Sequence, residues 1–237
     1  DDLMDTHITH THTQYRIFGM REQADPITRR LNRLSEEAFG TQLSAALDTA
    51  MDGDEAVYIL RDLKTKIGLN LTHHITDGQL TRHWIRQMTK DIMRTIATTS
   101  AANGTIWSTN ASPALYEGAN WIRFENQADY VTHFIVDSLN DRAWQRWFYP
   151  LFNHLKHRTP PEAIRTAILE NKASNAAILA NLHNAGLLER LLKTLDQTTI
   201  RQMWQNDIGT GHQATAEIVR PLFAVSYTHL TLPTNTP

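Results

Sequence analysis

A chain of 237 residues, 41% of them hydrophobic, carries enough apolar material for one large core or two small ones. Lys and Arg number 23 against 25 acidic residues, and the formal charge of −2 leaves no electrostatic footprint for nucleic acid or an anionic membrane surface. Cysteine is absent, which excludes disulfides, thiolate nucleophiles and cysteine zinc sites, and no segment reads as a membrane span or leader, so a cytoplasmic protein is expected.

His7 to Ile17 is rich in β-branched and aromatic residues that alternate loosely, which predicts an edge strand. Asp25 and Pro26 read as N-cap and first helical residue. Ile27, Leu31 and Leu34, then Leu43, Leu47, Ala50 and Met51, recur at helical spacing, as one helix broken near Gly40 or two short ones. Asp52 to Asp54 is a turn. Val57, Ile59, Leu63, Ile67, Leu69 and Leu71 then occupy odd positions, the clearest strand signal in the chain. Asp77 and Gly78 open a helix whose stripe is Trp84, Ile85, Met88, Ile92 and Ile96.

From Thr98 to Gly118 the composition turns to Ala, Ser, Thr, Asn and Gly, a flexible connection between regions. Trp121 to Phe124 predicts a short strand, and Asn126 a cap for a helix carrying Tyr130, Val131, Phe134, Ile135 and Leu139. Trp144, Trp147, Phe148, Tyr149 and Phe152 then crowd about one helix that Pro150 kinks or begins anew. Pro160 and Pro161 start a helix through Leu169, and Ala173 to Ala185 is a further one that Gly186 ends. Leu187 to Leu195 repacks beyond it, and Asp196 to Thr199 caps a last short helix. The fold class is therefore α+β and mostly helical: an N-terminal strand-helix-strand unit followed by a string of short packed helices. Residues 1–97 form the α+β region, 98–118 the connection and 119–224 the helical region.

Three groups of residues invite chemistry. His10 and His12 share one face of the first strand and, with His7, could present nitrogens to a metal, but a polar His/Thr face is also ordinary on an edge strand. Leu69 to Gly78 (L-N-L-T-H-H-I-T-D-G) resembles the His-His-x-x-x-Asp-Gly signature of condensation-type acyltransferases, which would make His74 the acting base. Only two residues separate His74 from Asp77, one fewer than in that family, and the plainer reading has Asp77 capping the next helix. Trp144, Phe148 and Phe152, beside Arg142 and Arg146, could stack on a base or sugar, yet their spacing of four is that of one packed helical face. No Gly-rich phosphate loop, nucleophile elbow or carboxylate pair on one helical face stands out. No catalytic residue, cofactor or metal ligand is assigned.

The order of segments resembles the contractile injection system tape-measure family. H-T-Q-Y-R-I, then A-D-P-I-T-R-R-L-N-R-L and L-S-A-A-L-D, is similar to that family's N-terminal block, and D-E-A-V-Y-I-L-R-D-L-K-T-K-I-G-L to the strand after it. N-W-I-R-F-E-N-Q-A-D-Y-V-T-H-F-I-V-D-S-L, R-A-W-Q-R-W-F-Y-P-L-F and P-P-E-A-I-R-T-A-I-L resemble its later strand-helix, aromatic and Pro-started segments. Together these cover most of Thr6 to Trp204. The resemblance implies a non-enzymatic assembly component of a phage-tail-like particle. Its partners would be tail tube or baseplate proteins, with self-association open, and neither nucleic acid nor membrane is among them. The alternatives are the acyltransferase built on His74 and a helical adaptor or regulatory protein. Val225 to Thr234 (V-S-Y-T-H-L-T-L-P-T) resembles translated read-through of a sequencing adapter, so 225–237 reads as a non-native tail and the chain as a fragment.

Overall fold

In the computed structural model the described residues are 24–38, 41–63, 65, 68, 75–98, 104–106 and 117–195. They form a mostly helical α+β protein with a string of short helices in its C-terminal half. The expected strand over His7–Ile17, the helix after Asp196 and the tail 225–237 lie outside these residues. Among the described residues no helix is long and apolar enough to cross a membrane. The chain divides into two compact units, Asp1–Asp54 with Leu60–Ile122, and Glu55–Ile59 with Arg123–Pro237.

In the first unit, helices α1 (Ala24–Ala38) and α2 (Thr41–Met51) both pack on α3 (Asp77–Thr98). Helix α1 starts at Ala24, so Asp25 sits inside the first turn instead of capping it. Its charge still suits the positive helix end, and Pro26 forfeits no bond there because first-turn N–H groups have no intrahelical partner. The expected stripe on α3 is divided between two partners. Leu80 and Trp84 close on Leu31 and Leu34 of α1, Ile85 and Ile92 close on Leu43 and Leu47 of α2, and Met88 touches both clusters. Adjacent residues such as Trp84 and Ile85 point roughly 100° apart on a helix, so one stripe wide enough to hold both can serve two neighbours. After α2 the turn is made by Asp52 at φ 41° and Gly53 at φ 79°.

Strand β1 covers Val57–Leu60, and of the longer strand that the alternation to Leu71 predicts, residues 64, 66, 67 and 69–71 lie outside the described residues. A side chain interrupts the ladder. Asp62 N–H donates to Asn120 Oδ1 at 3.2 Å, and Asn120 Nδ2 donates to the Asp62 carbonyl at 2.9 Å. The amide of Asn120 thus satisfies backbone groups that a strand would have paired. Strand β2 (Gly104–Ile106) lies in the stretch read as a connection, and β3 (Trp121–Phe124) stands where expected. The sheet order is β1-β3-β2.

The second unit is built around α4 (Gln127–Leu139). Asn126 caps it, its Oδ1 accepting from Asp129 N–H at 2.9 Å. Helix α4 is buried on nearly every side because α5 (Pro160–Glu170) and α6 (Asn175–Asn184) flank it while the aromatic segment covers the rest. A capping box starts α5: Glu162 Oε2 accepts from the Thr159 backbone at 3.0 Å and from its hydroxyl at 2.8 Å. A 3-10 turn over Lys172–Ser174 occupies the positions where the next helix was expected to begin. Helix α6 ends in a Schellman motif, with Leu187 N–H on the Leu182 carbonyl, Gly186 N–H on that of His183, and Gly186 at φ 69°. The chain then enters α7 (Leu188–Thr194), whose Arg190 donates to the Leu139 carbonyl and to Asn140 Oδ1, satisfying the C-terminal end of α4.

Candidate functional site

A close set of ionisable groups lies inside the second unit, on α4. Asp129, His133 and Asp137 are spaced by four and therefore share one helical face. The sequence reading found no carboxylate pair on one helical face; this is one, and the D-x-x-x-H-x-x-x-D spacing was there to be read. His133 Nε2 meets Asp129 Oδ1 at 2.9 Å, and Asp129 Oδ2 accepts the Glu125 N–H at 3.0 Å. Burial works to raise the Asp129 carboxyl, but the hydrogen bond and charge of His133 and the Glu125 N–H outweigh it and hold the group below its ordinary value. Four residues on, Tyr149 donates its hydroxyl to Asp137 Oδ2 at 2.8 Å, with Arg146 Nε 3.7 Å from the same oxygen. Burial dominates here and lifts the Asp137 carboxyl above its ordinary value, only partly offset by Tyr149, Arg146, His133 and Arg142. Tyr149 is raised well above its own ordinary value, first by burial and then by the charge of Asp137.

A histidine held by one carboxylate with a second beyond it has the residue types of acid-base chemistry. The geometry directs them inward. The side chains of His133, Asp137 and Arg146 are 7%, 7% and 9% exposed, and Phe124 stands 5.8 Å from the His133 ring. What their bonds do is tie α4 to the aromatic segment that follows it.

That segment is not a helix. Ala143–Gln145 and Pro150–Leu155 are 3-10 turns, and Arg146 between them is extended at φ −95°, ψ 129°. Pro150 lacks an N–H and restricts Tyr149, so the second turn begins anew at the proline, as one of the expected alternatives has it. The i, i+4, i+8 argument for Trp144, Phe148 and Phe152 therefore fails as geometry, while its consequence holds for two of the three. Phe148 and Phe152 are buried; Trp144 is half-buried, edge-on to Phe134 at 5.5 Å. Phe134 stacks on Phe152 at 3.9 Å between ring centres, and Tyr130 stacks on Phe152 at 5.4 Å. Tyr130 also donates its hydroxyl to the Phe148 carbonyl at 3.1 Å. These rings are a packed core, not a stacking platform.

In the first unit, His73 and His74 lie outside the described residues, as do His7, His10 and His12. Asp77 is described, and it is not the cap of α3. Thr76 is: its Oγ1 accepts the Gln79 N–H at 3.3 Å and Gln79 Oε1 accepts the Thr76 N–H at 3.1 Å, a reciprocal pair that leaves the Asp77 carboxylate free for other donors. Arg30 Nε and Arg33 Nη2 reach it at 2.6 and 2.7 Å, and Arg30 also donates to the Ile75 carbonyl, so Asp77 fastens α1 to the start of α3. Among the described residues no three His, Asp or Glu side chains gather as a metal site would require.

Between α2 and α3 runs an open groove of about 660 Å³. One wall is Gln42, Ala45, Ala46 and Thr49; the other is Arg82, Arg86, Thr89 and Lys90, with Ile85 beneath. The three cations are exposed, and among the described residues they form no hydrogen bond or ion pair, whereas Asp77 and Asp91 on the same helix are engaged by Arg30, Arg33 and Arg94. Neither wall was singled out in the sequence, although R-x-x-x-R-x-x-x-K on one helix was legible. In comparisons with protein-family models, with curated proteins and with solved structures, no match to this chain is found.

Proposed function

We propose that this chain is a non-enzymatic, cytoplasmic assembly component of a phage-tail-like contractile injection system, resembling its tape-measure protein and binding tube or baseplate proteins. The naming of the system rests on the sequence resemblance over most of Thr6 to Trp204. The observation that carries the reading is how the second unit spends its ionisable groups. Asp129 is paired with His133, and Asp137 with Tyr149 and Arg146, beside an aromatic core, as suits a rigid body that holds a shape. Electron microscopy of particles from a strain carrying the gene and from its deletion tests it. The expected result is loss of particles or loss of uniform tube length, with tube and baseplate proteins co-purifying with the tagged chain. Particles of normal length without the gene would overturn the reading. So would turnover of a carrier-linked acyl donor by the wild-type protein that is lost in His74→Ala.

A further inference from the structure

The α2–α3 groove carries a feature that neither the fold nor the proposed function uses. Arg82, Arg86 and Lys90 recur every fourth residue, so their backbones stand about 6 Å apart in a row about 12 Å long. Like charges four apart on a helix repel and weaken it slightly, and this row holds two such steps with no counter-charge among the described residues. We propose that the groove docks one acidic amphipathic helix of a protein partner, with Glu or Asp at i, i+4 and i+8 lying along the cationic wall. A helix repeats its side chains at the same 6 Å interval as the cations, so all three pairs can form in one register. On the opposite wall, beside Gln42, the short side chains of Ala45, Ala46 and Thr49 leave room for a helix to approach at the usual 8–10 Å between axes. Ala45 and Ala46 supply apolar surface for the partner's other face, over the buried Ile85. A single-stranded nucleic acid shares the negative charge, but none of the residues lining the groove is aromatic, so bases have nothing to stack on. The formal charge of the chain, −2, also opposes general attraction of a polyanion. This inference does not depend on which assembly the chain serves.

A synthetic peptide of about 18 residues, long enough to form several helical turns, tests it: Glu at i, i+4 and i+8 beside an Ala/Leu face, carrying a fluorophore. Fluorescence anisotropy with the full chain should show saturable binding that weakens as NaCl is raised from about 50 to about 300 mM. Replacing all three cations (R82Q, R86Q and K90Q) should weaken it about tenfold, since exposed pairs each contribute a small factor. Ala45→Trp, which blocks the groove and keeps the charges, should weaken it as well. Both variants should melt like the parent because the changed side chains are exposed. Three results would overturn the proposal: equal binding of a peptide of the same composition with its Glu scattered round the helix, undiminished binding by either variant, or stronger competition from a single-stranded oligonucleotide of equal charge. The last would assign the cationic wall to nucleic acid instead.

Discussion

Tyr149 and Asp137 share one short hydrogen bond inside an apolar core, and removing one partner strands the other. Tyr149→Phe leaves the Asp137 oxygen only Arg146, 3.7 Å away, and should cost about 1–3 kcal/mol of unfolding free energy, read from urea melts with an unchanged slope. The two carboxylates on α4 make opposite contributions to pH dependence. Asp137 sits above its ordinary 3.8 when folded, so its contribution is complete below that value and is lost as pH rises through the folded one. Asp129 sits below 3.8, so its contribution is present above that value and is lost as pH falls through the folded one. In melts over a pH series, the deficit of Asp137→Asn relative to the parent should therefore shrink as pH climbs from 3.8, while that of Asp129→Asn should shrink as pH drops below it. A deficit independent of pH at both positions would mean that neither carboxyl titrates differently in the fold. The spacing of Asp129, His133 and Asp137 was legible in the sequence. The link of Asp137 to Tyr149 was not, because it depends on how the chain turns at Arg146.

Among the elements, the aromatic segment separates a correct inference from its faulty geometry. If Trp144, Phe148 and Phe152 shared one helical face, truncating any of them would cost alike. With 3-10 turns in place, Phe148→Ala should cost about 3–5 kcal/mol, the range for a buried aromatic, and half-buried Trp144→Ala distinctly less. Equal losses in denaturant melts would restore the single helix. The ends of α5 and α6 were readable because their signals are local. Pro160 and Pro161 mark the start of α5 and Gly186 after an apolar run is a C′ residue; the Thr159-x-x-Glu162 capping box is as local a signal, though it was not singled out. Gly186→Ala should cost about 1 kcal/mol from backbone strain alone, since the added methyl group meets nothing within 4 Å while φ stays at 69°. Thermal melts should show that modest loss, and none at all would mean that the turn relaxes. The end of strand β1 at Leu60 was not readable for the converse reason: alternation is local, but the Asn120 side chain that takes over the ladder at Asp62 comes from 58 residues away.

Over the whole molecule, each unit holds its own core, with Leu31, Leu34, Leu80 and Trp84 between α1 and α3 in the first and Phe124, Tyr130, Phe134, Phe148 and Phe152 in the second. Trp84→Ala should therefore speed amide exchange in α1 and α3, whose shared cluster it opens. Unchanged exchange in both helices would mean that this cluster does not hold them together. The sequence by itself determined the mostly helical class, most helix positions, the cap at Asn126, the proline start of α5, the C′ residue Gly186 and much of the apolar burial, since each depends on periodicity or on a few adjacent residues. Only the tertiary structure decided that the α3 stripe divides between α1 and α2, that Asp77 fastens α1 instead of capping α3, and that Asp137, Arg146 and Tyr149 meet. Each of those depends on a partner distant in sequence or on a turn between, and local pattern holds no information about which distant group arrives.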